Sequence, residues 1–74
     1  MASTEQLDEL EKLCFDAAWA VHRSTTSRLL AVMWDGSERA TEFNERNAAD
    51  TSTAHDTLCA LSRALDSLGY REQA

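Results

Sequence analysis

Trp34-Asp35-Gly36-Ser37 lies midway between two long helical patterns and decides the fold of this 74-residue chain. Glycine readily takes the left-handed backbone conformation that commonly ends a helix, and serine is a favoured residue at the start of the next one. The segment therefore predicts a helix stop followed by a restart. We predict an all-α fold, an antiparallel helical hairpin with its bend at Trp34 to Gly36.

The residues before the bend predict a first helix over about 4–34. Ser3 or Thr4 can cap it, and acidic side chains in its opening turns complement the positive end of the helix dipole. Apolar residues then recur at alternating spacings of three and four, the pattern of a helix with one buried face. The stripe predicted to face the second helix consists of Leu7, Leu10, Cys14, Ala17 and Val21.

A second apolar stripe lies on another side of the first helix. Because a lone hairpin covers only one side, this stripe should contact another chain or remain exposed. The alternative is a three-helix bundle in which a third helix covers it. The residues predicted for the partner interface are Phe15, Trp19, Leu30 and Met33, with Phe43 from the second helix.

After the bend, a second helix is predicted over about 38–68, with Ser37 as its N-cap and Gly69 just past its end. Antiparallel register places its polar section, 44–53, beside the polar residues 21–28. An alternative breaks this helix near 50–53, where Asp50-Thr51-Ser52-Thr53 could cap a separate helix. The core residues predicted from this half are Leu58, Leu61, Leu65 and Leu68.

A β-hairpin competes with this interpretation, because Asp35-Gly36 is a strong hairpin signal when alternating apolar residues flank it. Here the alternation is poor, since Leu29 and Leu30 are adjacent and so are Met33 and Trp34. The residues after the bend include several good helix formers. The helical interpretation is therefore preferred.

Length and charge narrow the function classes. A chain of 74 residues buries little apolar surface, so a stabilising partner is expected, and oligomerisation is the leading candidate. The net charge of -6 disfavours binding to nucleic acid or to an anionic membrane. The longest apolar run, Leu29 to Trp34, is too short to span a bilayer. The first residues lack the basic and apolar regions of a cleaved secretory signal.

No grouping of residues predicts catalysis, a cofactor or a metal. His22 and His55 lack a convincing nucleophile, and the carboxylates are spread along solvent-facing positions. Cys14 and Cys59 would lie at similar heights, which permits a disulfide or two free thiols. His55 and Cys59 lack the spacing typical of a zinc site. We predict that the protein is not an enzyme.

Trp34-x-Gly36, followed by Ala40, Phe43 and a leucine-lined helix, resembles the WXG family of small acidic helical hairpins exported by type VII (ESX) secretion systems. The resemblance covers about residues 29–70. It implies a homodimer or heterodimer with a similar small helical protein, paired as a four-helix bundle. It also implies recognition through Trp34, Gly36 and Tyr70. The family's C-terminal signature, Tyr-x-x-x-Asp/Glu, is incomplete here, because Ala74 stands four residues after Tyr70.

The resemblance further implies a cytoplasmic protein that is secreted without a cleaved signal peptide, with a secretion ATPase or a larger toxin as further partners. The function predicted is thus that of a non-enzymatic interaction protein. The alternative is an acidic antitoxin-like or phage regulatory inhibitor that covers a basic site on a nucleic-acid enzyme. A mimic of DNA needs regularly arrayed carboxylates, whereas here Lys12 and apolar residues interrupt the acidic positions of the first helix.

Overall fold

The computed structural model describes residues 3–69 as two long helices joined by a short bend. Helix α1 is Thr4–Met33 and helix α2 is Ala40–Ser67. They pack antiparallel into a rod with extents of 54 × 20 × 14 Å. The predicted all-α hairpin is confirmed. Residues 3–69 contain no strand, and α2 continues unbroken through 50–53, so the β-hairpin and the break at that point are both wrong.

The start of α1 is fixed by a capping box between Ser3 and Gln6. The Gln6 backbone N–H donates to Ser3 Oγ at 3.1 Å, and the Ser3 backbone N–H donates to Gln6 Oε1 at 2.8 Å. Two of the backbone donors at the helix start thereby gain partners. Of the two caps that the sequence offered, the chain uses Ser3.

The bend spans 34–39 and begins α2 two residues later than predicted. Gly36 has a φ of 81°, the left-handed conformation expected of it. Ser37 is not the N-cap, which falls at Arg39. Instead, Ser37 Oγ accepts from the Arg39 backbone N–H at 3.2 Å, and its carbonyl accepts from Ala40 N–H. Ser37 therefore holds a turn that precedes the helix.

Replacing Gly36 with alanine should lower the free energy of unfolding by about 1 kcal/mol, because a Cβ disfavours the left-handed region. Nothing lies within 4 Å of the added Cβ, so the loss comes from the backbone and not from a clash. Urea denaturation followed by circular dichroism measures it. Gly36→Asn should lose less, because asparagine tolerates this conformation. Equal stability of Gly36→Ala and the parent protein would contradict the assignment.

The two helices contact through a continuous seam in which every residue is buried or half-buried. Its spacing alternates between three and four along both helices, as in an antiparallel coiled coil. The seam consists of Leu10, Leu13, Ala17, Ala20, Ser24, Ser27 and Ala31 of α1 and Ala40, Phe43, Asn47, Asp50, Ala54, Thr57, Leu61, Ala64 and Leu68 of α2. Its middle is filled by small and polar side chains. Bulky side chains occur only toward its ends.

Polar contacts fix the antiparallel register in the middle of the seam. Asn47 Nδ2 donates to the Ser24 carbonyl at 2.9 Å and to Ser27 Oγ at 3.2 Å, and Ser27 is only 2% exposed. The hydroxyls of Ser24 and Thr51 lie 2.9 Å apart. The two polar sections therefore lie side by side as predicted, and their hydroxyl and amide groups make the contacts.

The structure differs from the predicted core at four positions. Leu7 is 53% exposed, Val21 42% and Leu58 47%, and Cys14 is also exposed. Both the predicted stripe and the real seam follow the same three-four spacing, but the seam uses smaller residues. Small side chains let the helix axes approach closely, which leaves the larger ones outside.

The remaining predicted core residues lie in or beside the seam. Leu10, Ala17, Leu61 and Leu68 are seam residues, and Leu65 is half-buried next to it. Gly69 has a φ of 74° directly after α2, which suits the predicted helix stop. Tyr70 lies outside the described residues.

Candidate interaction surfaces

An aromatic cluster closes the bend end of the hairpin. The Trp34 and Phe43 ring centroids lie 6.1 Å apart with an interplanar angle of 34°. Phe43 is only 3% exposed, whereas Trp34 is 42% exposed. The structure thus places Phe43 inside its own hairpin and not on the outer surface as predicted. The reason is that the bend brings the first turn of α2 back over the end of α1.

Two arginines cover the outer face of this cluster. The Arg39 guanidinium lies 4.6 Å from the Phe43 centroid and 5.6 Å from that of Trp34, and the Arg46 guanidinium lies 5.5 Å from Phe43. Glu42 pairs with Arg39 at 3.4 Å and with Arg46 at 3.6 Å. The sequence prediction missed these arginines. Their positions four before and three after Phe43, on one side of α2, were the available signal.

One side of the hairpin carries an apolar strip built from both helices, here named the leucine flank. Its members are Leu7, Cys14 and Val21 of α1 and Leu58 and Leu65 of α2. All five occupy the same position of the seven-residue repeat, next to the seam. In an antiparallel pair of helices, residues at this position face one another. Arg28 and Asn44, at the same heptad position nearer the bend, line one depression together. The leucine flank is therefore a two-helix face and not two separate stripes.

The opposite side of the hairpin forms an open groove of about 510 Å³, here named the basic groove. Trp19 and Leu30 supply its apolar surface, and Arg23 and Arg46 stand at its edges. The residues that line it are Trp19, His22, Arg23, Thr26, Ser27, Leu30, Arg46 and Asp50. Its charged lining residues are Arg23, Arg46 and Asp50, and Arg46 also pairs with Glu42 beside the groove.

The back of α1 exposes the aromatic residues that were predicted for a partner interface. Phe15 is 60% and Trp19 62% exposed, and they share a shallow depression with Ala18 and His22. The Trp19 ring meets the His22 ring edge-on at 5.8 Å. Met33, 75% exposed, lies farther along the helix, and Leu30 is half-buried at the basic groove. The structure therefore keeps Phe15, Trp19 and Met33 accessible.

The chain exposes more surface than a compact protein of its size. Its accessible area is 5775 Å², whereas a folded monomer of 8.2 kDa has about 4,500 Å². The difference follows from the rod shape of the two-helix chain, which has extents of 54 × 20 × 14 Å.

The cysteines and the possible metal ligands of the described residues are also seen in the structure. Cys14 and Cys59 are free thiols, and Cys59 Sγ lies 3.5 Å from His55 Nε2. Within residues 3–69, no group of three or more His, Cys, Asp or Glu side chains could hold a metal ion. Neither of the two helices contains a stretch apolar enough to cross a membrane.

Comparisons with protein-family models, curated proteins and solved structures give no match.

Proposed function

We propose that this protein is a non-enzymatic interaction protein that pairs through its leucine flank with a helical hairpin of the same kind. The observation that carries the proposal is the exposure of apolar side chains from both helices along one side. A second hairpin laid on this two-helix face completes a four-helix bundle. In the purified chain, a second copy takes that place.

The energetics favour such pairing. Of the apolar residues buried within 3–69, three are alanines and one is Phe43, so the lone hairpin gains little from its core. Covering a valine or leucine side chain contributes about 1.5–3 kcal/mol when burial is complete. Pairing over Val21 and Leu58 therefore adds stabilisation that is large for a chain of this length.

The WXG-like character of the bend supports a finer proposal. Trp34 and Gly36 lie in the bend, Gly36 has a positive φ, and Trp34 remains accessible beside Phe43. We propose that the bundle is a substrate or partner subunit of a type VII secretion system. Its partners are then a similar hairpin, the secretion ATPase and a larger toxin, and it leaves the cytoplasm without a cleaved signal. We expect this pairing to tolerate added salt, whereas the binding of an acidic inhibitor to a basic site would weaken steeply with added salt.

The rate of thiol alkylation tests which side pairs. In a Cys59→Ser variant, modification of Cys14 should slow as the protein concentration rises, because pairing covers the leucine flank. A Cys14→Ser variant provides the control, since Cys59 follows a different heptad position on the outer side of α2. Its rate should not depend on concentration. A Cys14 rate that is equally independent of concentration would refute pairing through this flank.

A further inference from the structure

The charges of α1 are divided between its two halves. Before Trp19 the helix carries five carboxylates and one lysine, whereas after Trp19 it carries two arginines and a histidine. Trp19 lies close to the middle of Thr4–Met33. The charged residues are Glu5, Asp8, Glu9, Glu11, Lys12 and Asp16 in the first half and His22, Arg23 and Arg28 in the second. Two such helices attract each other when they run antiparallel and repel each other when parallel.

Shape agrees with this charge pattern. Phe15 is exposed one turn before Trp19, in the acidic half, and the basic groove opens beside Trp19 in the other half. A two-fold axis near Trp19 brings each copy's Phe15 over the groove of the other copy. Asp16 and Arg23 share the heptad position that borders the groove, so the same axis places Asp16 of each copy beside Arg23 of the other.

We propose that the basic groove binds a second copy of this chain, with α1 antiparallel to α1, Phe15 in the groove and Asp16 beside Arg23. Such a contact is self-complementary, so it closes as a two-fold dimer at this surface. It goes beyond the pairing through the leucine flank, because it uses the opposite side of the hairpin. A small anion could meet Arg23 and Arg46, but it would leave Phe15 and Trp19 uncovered. A second copy covers both the aromatic rings and the charges.

Charge exchange in a flank-silenced background isolates this contact. Val21→Lys with Leu58→Lys places like charges on exposed positions of the leucine flank, where they repel those of a second copy, so that pairing through the basic groove is isolated. Sedimentation velocity of this variant should show a dimer. Adding Asp16→Arg should raise the dissociation constant about tenfold or more, because the cation introduced at position 16 of each copy then faces Arg23 of the other copy. Adding Arg23→Asp as well should restore the dimer, since the pairs reform with exchanged signs.

The outer side of α2 supplies the matched control. Asp56→Arg with Arg63→Asp makes the same exchange on exposed residues far from the groove and should leave the dimer unchanged. Circular dichroism checks that each variant retains its helix content. Phe15→Ser with Trp19→Ser should abolish the dimer without changing the helix content. A flank-silenced chain that is monomeric, or a charge exchange that restores nothing, overturns the proposal. If silencing the flank leaves the mass of the parent assembly unchanged, pairing through the flank fails instead, and the charge exchange still decides the groove.

Discussion

Replacing Phe43 with alanine should lower the free energy of unfolding by about 3–5 kcal/mol. Phe43 is the one large apolar side chain that is fully buried within residues 3–69, and it contacts Trp34 and the guanidinium groups of Arg39 and Arg46. A core of this size supplies about 3–5 kcal/mol in total. The variant should therefore be largely unfolded at dilute concentration, which circular dichroism and urea titration measure.

The other phenylalanine is the matched control. Phe15 is 60% exposed, so Phe15→Ala should change the stability of the hairpin by less than about 0.5 kcal/mol while weakening self-association. The two substitutions remove the same atoms from the same chain. If both variants lose the same free energy of unfolding, the aromatic cluster does not stabilise the bend as the structure indicates.

The bend and the helix caps could be predicted because local chemistry specifies them. Gly36 is placed by its freedom to adopt a positive φ, and Ser3 by the backbone donors at the start of a helix. Neither choice depends on which residues lie across the hairpin. The same local reasoning failed at Ser37, because the loop forms an extra turn before α2 starts.

The seam could not be selected from one helix alone. Leu7, Cys14 and Val21 and the true seam residues Leu13 and Ala20 follow the same spacing, so periodicity does not separate them. Hydrophobicity favours the larger side chains. What decides is close approach between two helices, and that depends on which residues stand opposite. The small residue Ala54, opposite Ala20 in the antiparallel register, was the available signal.

The small residues of the seam explain why several of the largest apolar residues of this hairpin are exposed. Small residues in the seam let the helices pack closely, and several of the largest apolar residues then lie on the outside. The exposure of Leu58 on one side and of Trp19 on the other follows from this packing. Phe43 was assigned to the outside for a related reason, since its burial depends on where the bend directs α2. Site prediction from sequence was therefore least reliable where it depended on the seam.

The small seam itself can be tested by overfilling it. Ala20 is 2% exposed, and the register fixed by Asn47 and Ser24 places it opposite Ala54. Ala20→Leu should lower the free energy of unfolding by about 1–3 kcal/mol, because the added side chain forces the helix axes apart. Thermal and urea denaturation of the variant measure the loss.

Ala49→Leu is the control for that substitution, because Ala49 is exposed on the outer side of α2. Alanine and leucine have similar helix propensities, so this variant should stay within about 0.5 kcal/mol of the parent protein. The two leucines thus separate the close approach of the helices from any general effect of the residue type. Had the predicted stripe of Leu7, Cys14 and Val21 faced α2, Ala20 would lie beside the contact, and leucine there would be tolerated. A neutral or stabilising Ala20→Leu variant would therefore favour the predicted stripe over the small-residue seam.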